Sequence, residues 1–480
     1  MIIWNTLMNY MVMVGRKPKT FVLVILISAL ILRRLKIIDK FYEWFSKIST
    51  RSLLLLILII AFSLRLGWII WSPHTAPSAG TEDKYMLQHA HNLMVGKGFL
   101  TPEGNQFSAE RPIGYPLLLS ILFRVFGEKI WLVEWLQVIC GVSTVFLIYY
   151  IGRQTINKYV GLLAAMLLAI YPTSVLASKV ILEEHMFILL WLGGISLLIS
   201  DFQKPNWKKI VIAGLILGIS AHFRTYSFAM GLVLLFLWSL VRKDIRQGLL
   251  RSLVIQVLIL TFAVPWAVRN YYKLGKPIPY TSIIGLALYY ANNPVSDARS
   301  QIPPTLEQGG SPEFFNAKTE VERDQAGKKE AMKWISNHPL TFIQKGIART
   351  IYMLGIDREG WIVKDNFYTI REGREMPPAK FSSGLDNMDN DYYGGIFLLS
   401  LIGFFLFCVS GKPTLKEKSF WFIIMTIAYY LSIVAITLGH RKYRFAIEPF
   451  FCLLAAYALI QIFLEKFIGK SMPKQAIINA

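Results

Sequence analysis

Ten separate stretches of the chain, at about residues 52–71, 130–150, 160–176, 180–199, 210–223, 227–241, 249–266, 395–409, 420–438 and 445–463, are poor in charge and rich in Leu, Ile, Val and Phe. Such segments are stable in hydrocarbon only if every backbone N–H and C=O is paired within the segment, which selects the α-helix. An eleventh apolar run, 21–32, has about a dozen residues, short of the roughly 20 that cross a bilayer. It reads either as a span or as a helix at the interface. The expected fold is an all-α polytopic membrane protein, a bundle of about 10–11 transmembrane helices. Composition agrees: 54% of the 480 residues are hydrophobic and 17% charged, against about 25% charged in a soluble domain.

The basic residues set the orientation. The block 33–51 carries Arg33, Arg34, Lys36, Lys40, Lys47 and Arg51 and belongs on the cytoplasmic side by the positive-inside rule. That choice places 152–158, 201–209, 242–251, 411–418 and the tail after Glu465 on the same side, and every one of them is basic. The other face receives the loop 73–129, the turns near Lys179 and Arg224, the segment 269–391 and the turn 440–444. The chain thus divides into an N-terminal segment 1–51, a transmembrane core 52–268 with its first external loop 73–129, an external domain 269–391, C-terminal transmembrane helices 392–465 and a cytoplasmic tail 466–480. The external domain is long enough for a modest core of its own. The location expected is the cell (plasma) membrane, multi-pass. The net charge of +21 sits between apolar runs, which suits anionic membrane lipids; no motif for nucleic acid accompanies it. Cys140, Cys408 and Cys452 lie inside apolar runs and form no disulfide framework. The first apolar stretch lacks a signal-peptide cleavage site.

Ionisable residues gather at the outer ends of the spans, where charge is costly and usually functional. Glu82 and Asp83 precede a helix-length segment, 84–95. One of them can act as general base on an acceptor hydroxyl; the alternative is a cap on the helix N-terminus, and two acids in a row leave one spare. Glu183 and Glu184 follow Tyr171-Pro172 and Lys179 and open another outer turn, again as helix stabilisers or as a site. Arg224, Arg269 with Asn270, and the turn His440-Arg441-Lys442-Tyr443-Arg444, with Glu448 one helical turn beyond, collect cations on the face that the charge rule disfavours. Lipid headgroups are one account. A phosphate site is the other, since Arg offers paired donors and Lys a point charge. No Gly-rich phosphate loop, HExxH, CxxC or GxSxG in a strand–turn–helix setting is present, so nucleotide-driven and zinc chemistry lack support. Carboxylates from two loops and cations from later span ends fit transfer of a group from a phosphate-activated, lipid-borne donor to a hydroxyl.

The ordered set Tyr85, Ala90, Asn92-Leu93, Gly96, Gly98-Phe99, Arg111-Pro112, Gly114-Tyr115-Pro116, Tyr171-Pro172, Glu184, Pro265-Trp266, Arg269-Asn270, Gly285, Asn292-Asn293-Pro294, Arg444 and Glu448-Pro449 resembles the bacterial relatives of the protein O-mannosyltransferases. These are dolichyl-phosphate-mannose-protein mannosyltransferase-related glycosyltransferases of the GT-C superfamily. The resemblance covers about residues 52–465 and implies a GT-C-like bundle using a polyprenyl-phosphate-sugar donor at the outer face. It implies that Asp83, in preference to Glu82, is the base and that Glu184 shapes or polarises the site. By the same resemblance Arg269, Lys442 and Arg444, assisted by Arg224, bind the donor phosphate. Tyr85, Arg111, Tyr115, Glu183, Asn270, His440 and Glu448 are further candidates. Inversion at the sugar carbon is implied. No cofactor or metal ligand set is expected, and a divalent ion is left open. The acceptor class, whether lipid, polysaccharide or protein, is not named by the resemblance.

Two rivals stand beside this reading. A multispan transporter or flippase of lipid-linked glycans or other envelope precursors would carry charges or helix breaks near the midplane. A catalytically silent scaffold of envelope assembly is the third reading.

Overall fold

The computed structural model describes residues 49–72, 82–101, 103–357, 379–410 and 413–463; the side chains of residues 82, 83, 379–382 and 463 lie outside that description. The short run 21–32, nearly all of the basic block 33–51 and the tail 466–480 also fall outside it.

The chain builds helices α1 (Thr50–Trp71), α2 (Glu82–Met94), α3 (Gly114–Phe126), α4 (Ile130–Thr155), α5 (Lys158–Ala169), α6 (Pro172–Leu176), α7 (Glu184–Gln203), α8 (Trp207–Ala221), α9 (Met230–Phe236) and α10 (Ile245–Leu274). An external group follows, α11 (Ile284–Ala291), α12 (Pro312–Phe315), α13 (Glu320–Asn337) and α14 (Pro339–Leu354). The last helices are α15 (Ala379–Val409), α16 (Leu415–Lys418), α17 (Trp421–Ile436) and α18 (Glu448–Phe463). All ten predicted spans are helical. Among the described residues six helices are long and apolar enough to cross a bilayer, and the bent pair α5–α6 makes a seventh. The remaining spans are shorter helices, and the last of them is packed by protein. α18 shows why they survive: nearly every side chain from Phe450 to Ala458 is buried, so its environment is other helices rather than lipid.

Polar side chains punctuate the turns at the end of the bundle that the charge rule assigns to the cytoplasm. Asn157 caps α5 by accepting from the backbone N–H groups of Tyr159 and Val160, and Asn206 caps α8 through the N–H of Lys208. At this end Asp201 and Arg251 form a buried pair at 2.9 Å. Gln203 reaches Ser419 Oγ at 2.8 Å. These contacts join segments that the charge rule had put on one face, and the outer-face acids and cations of α7 and α8 lie at the opposite helix ends.

Two features depart from the expected layout. The predicted span 160–176 is broken, with a bend of 60° between Lys158–Ala169 and Pro172–Lys179. Pro172 lacks an N–H, and the residue before a proline avoids helical geometry. The carbonyls freed at the end of α5 are taken by Arg65 of α1, which is fully buried: Nη1 donates to Ala169 O at 3.1 Å and Nη2 to Ser174 Oγ at 2.8 Å. The second departure is the first external loop, which contains two helices. One of them, α3, is an apolar 13-residue helix, too short to span alone.

The external group is knitted to the bundle. Gly285 and Gly327 let α11 and α13 cross with backbone against backbone: a Cβ on Gly327 would lie 2.8 Å from Gly285 O. Thr319 and Glu322 form a reciprocal capping box at the start of α13.

Candidate active site

Helices α7 and α8 run antiparallel, joined by the short turn 204–206, so the start of α7 and the end of α8 meet. There Arg224, just beyond α8, bridges both acids that open α7. Its Nε is 2.9 Å from Glu183 Oε1, and its Nη2 donates to Glu184 Oε1. Both acids are buried. Two adjacent carboxylates out of water repel; one guanidinium with several donors offsets that repulsion and holds both in a fixed geometry. Glu184 also lies in the first turn of α7, where the helix dipole favours an anion.

The first external loop docks beside this group. Gly114 N donates to His222 O at 2.8 Å, two residues before Arg224. A Cβ at position 114 would sit 2.5 Å from that carbonyl oxygen, so only glycine permits the approach. The next residue, Tyr115, is buried and donates from its hydroxyl to Gln137 Oε1 at 3.1 Å. That same oxygen accepts from Leu182 N at 2.8 Å, while Gln137 Nε2 donates to Ser178 O at 3.1 Å. Gln137 thus ties the start of α3 to the segment leading into Glu183 and Glu184. Nearby, Lys179 and Glu134 form a second buried pair at 3.1 Å.

The loop also walls a cavity of about 710 Å³, within the range of small-molecule sites. Tyr85 and His89, one turn apart on α2, line it with Glu103, Glu110, Arg111 and Lys273, and α13 closes it with Glu320 and Arg323. Glu82 and Asp83 open α2, but their side chains lie outside the described residues. His89 stacks on Phe99 with ring centroids 4.3 Å apart, and burial pushes its imidazole down to about 4, so it is neutral near pH 7. Arg269 clasps the loop: Nη1 donates to Ser108 O and Nη2 to Phe99 O, each at 2.7 Å, and the guanidinium lies 4.7 Å from the Trp266 ring centre. Asn270 accepts from Arg269 at 2.8 Å and donates to Ile278 O at 2.8 Å.

The last outer turn approaches from the other side. Arg444 is fully enclosed. Its Nε pairs with Glu448 Oε1 at 2.9 Å, its Nη1 donates to Gly355 O at 2.8 Å, and its guanidinium lies 3.5 Å from the Tyr393 ring centre. Arg441 faces Asp357 at 3.5 Å. His440 Nδ1 accepts from Lys442 N at 3.1 Å and caps the turn, leaving Lys442 on its partly exposed side. The ring of His185, next to Glu184, meets Phe445 at 5.5 Å, and His185 and Glu448 share a small cavity of about 20 Å³.

The structure therefore brings Glu183, Glu184, Arg224, Arg444 and Glu448 to one neighbourhood. Tyr85 and Arg111 line the loop cavity, Arg269 and Asn270 brace the loop that walls it, and the loop is linked to the first group through Gly114 and His222. The recorded hydrogen-bond partners of Arg269 come from the first loop and Asn270, and those of Arg444 from residues 355 and 448. Among the described residues no three His, Cys, Asp or Glu side chains converge as a metal site requires. Sequence reasoning missed Arg65, Gln137 and Glu320. Arg65 had a signal, a lone arginine within a long apolar run; the other two had none.

A family model described as dolichyl-phosphate-mannose-protein mannosyltransferase matches residues 110–272. A Bacillus subtilis protein provisionally named as the mannosyltransferase YycA is 24% identical over 249 residues, which cover 49% of this chain and 35% of that one. Among solved structures, the oligosaccharyltransferase AglB of Archaeoglobus fulgidus, in complex with an inhibitory peptide and a dolichol-phosphate, superposes with a TM-score of 0.51 at 14% identity. The match covers 91% of this chain and 52% of AglB. The same enzyme tethered to an acceptor peptide gives 0.51 at 13% identity, covering 90% and 52%. The chain spans about a third of the length of the curated relative and about half that of the solved one. With its helical bundle, the chain is a multi-pass membrane protein with a GT-C-like fold, and it resembles the dolichyl-phosphate-mannose-protein mannosyltransferases over residues 110–272.

Proposed function

We propose that the chain is an integral-membrane glycosyltransferase, moving a hexosyl or pentosyl group from a polyprenyl-phosphate donor to an acceptor hydroxyl at the extracytoplasmic face, with inversion. The observation that carries this reading is the buried Glu183–Arg224–Glu184 cluster at the outer helix ends, with the first external loop docked against it. AglB, which has the same fold, was solved with a dolichol-phosphate, which supports a lipid-linked donor.

In this reading Asp83, or Glu82 beside it, removes the acceptor proton, a contribution of about 10²–10⁴ in rate. The acceptor oxygen attacks the anomeric carbon from the face opposite the phosphate, so one displacement inverts the centre. The C–O bond to phosphate breaks, and the lipid phosphate leaves with the electron pair. Arg224 and Lys442 offset the charge that develops there. Glu184 holds Arg224 in place, while Arg269 and Arg444 position the loop and the last turn. The acceptor is a lipid, polysaccharide or protein hydroxyl, and the chemistry calls on no cofactor.

The test is product formation by purified protein from a polyprenyl-phosphate sugar, with Asp83→Ala, Glu82→Ala and Glu184→Ala each shown to be folded. One first-loop change and Glu184→Ala should abolish transfer; full activity in all three would refute the site. Mass spectrometry of envelope glycans from a deletion strain and its parent should show one glycan class lacking a defined sugar.

The broken span and buried Arg65 raise the transporter reading again, since both are features of transport paths. Arg65 lies six residues before the end of α1 at Trp71, or about 9 Å from its outer end, so the break sits in the outer third rather than at the midplane. Uptake of a labelled lipid-linked glycan into vesicles without a covalent product would favour transport instead.

A further inference from the structure

Helix α14 carries a row of bare apolar side chains, Leu340, Ile343, Ile347 and Ile351, spaced three, four and four residues apart and therefore on one face. They are 74%, 54%, 56% and 66% exposed. We propose that this row lies in the outer leaflet, with lipid acyl chains covering it, so that α14 is an interfacial helix that sets the height of the external group above the membrane.

Three observations lead to this. First, the helix cannot turn the row inward, because its opposite face is committed. Gly346 packs on the end of α17, where a Cβ would lie 2.8 Å from Ala435 O. Arg349, fully buried, donates to that same carbonyl and to Ala291 O, each at 2.5 Å, and to Asn292 Oδ1 at 3.1 Å. Lys345 donates to Asn293 O at 2.6 Å and Ser296 O at 2.7 Å. Second, the level is set by the partner. Ala435 is the penultimate residue of the candidate span Leu415–Ile436, so α14 crosses that span where hydrocarbon gives way to headgroups. The span's last residue, Ile436, is an apolar side chain that is itself 44% exposed. Third, the pattern is that of an amphipathic helix lying in the interface plane, and Trp334, stacked on His338 just before α14 at 5.2 Å, is a residue type favoured at headgroup depth.

The consequence is a bracket. Through Arg349, α14 holds the end of α11 and the end of α17 at one fixed level, so lipid contact along the row positions the external group independently of any substrate.

The test uses the full chain in lipid nanodiscs, with Cys408→Ser to remove the exposed thiol. Nitroxide labels are placed singly at Ile343→Cys, Ile347→Cys and Ile351→Cys, with Lys333→Cys as the aqueous reference. Power-saturation electron paramagnetic resonance then compares accessibility to oxygen, which concentrates in lipid, and to a water-soluble nickel chelate. The expected result is an oxygen-to-nickel ratio several-fold higher at 343, 347 and 351 than at 333. Free access of nickel at 343 and 347 would overturn the proposal by placing the row in water. Low access of both reagents, with spin–spin broadening between copies, would overturn it by showing that a second copy of the chain covers the row. Each label replaces an exposed side chain, and retained product formation by the labelled protein reports its fold.

Discussion

Arg224 pairs with two carboxylates through one guanidinium. Removing it leaves Glu183 and Glu184 adjacent and buried, and an uncompensated buried charge typically costs about 3–5 kcal/mol. Arg224→Met is therefore expected to lower thermal stability markedly and to abolish transfer. Glu183→Gln, which keeps one complete ion pair, should fold and retain part of the activity. Thermal unfolding in detergent and product assays on both variants check this. His89 gives a pH signature. Its imidazole is pushed down to about 4 by burial, against an ordinary value of about 6.5 in the unfolded chain. Between these values the unfolded chain binds a proton that the native one does not. The His89 contribution is thus complete above about 6.5 and is lost as pH falls toward 4. His89→Gln should flatten the fall in melting temperature over that window, measured against the parent.

At the scale of elements, the approach of α3 to the end of α8 depends on a missing side chain. Gly114→Ala forces a methyl against His222 O, and backbone cannot swing aside as a side chain can. The expected outcome is at least a tenfold drop in transfer, about 1.4 kcal/mol of misplacement, with most of the fold retained by circular dichroism. The helices themselves were legible because hydrocarbon admits few alternatives: each of the ten apolar runs within the described residues became helical. Charge asymmetry grouped their ends, and Asp201–Arg251 at one end and Glu184–Arg224 at the other follow that grouping. The break at Pro172 was harder to see. The run 160–176 is apolar apart from Pro172, Thr173 and Ser174, and what makes the bend tolerable is Arg65, about a hundred residues earlier in sequence. Within the site, single residues were legible and their partners were not. Arg269 stood out as a cation at a span end, but that its guanidinium meets the carbonyls of Phe99 and Ser108 depends on a loop path with no periodic signature. Gln137 and Glu320 carry no motif at all, since their work is done by hydrogen bonds to backbone groups and hydroxyls that only the folded chain brings near.

Taken as a whole molecule, the outer face is one connected layer. Glu320, the first residue of α13, accepts from Ser108 Oγ at 2.7 Å, Ala109 N at 2.6 Å and Ser282 Oγ at 2.9 Å. Ser282 N in turn donates to Ala109 O at 2.8 Å. Glu320→Ala leaves three donors to find water, each hydrogen bond to a charged group contributing roughly 1.5–3 kcal/mol. Faster amide hydrogen exchange is expected across residues 99–111, together with a fall in transfer while the membrane core stays protected. The same carboxylate has a consequence for engineering. Because it stitches the loop 99–111 to the helices of 284–354, that group is not an interchangeable cassette. A laboratory chimera that swaps residues 284–354 without residues 99–111 should assemble in the membrane yet lose the proposed transfer until a carboxylate at position 320 is restored.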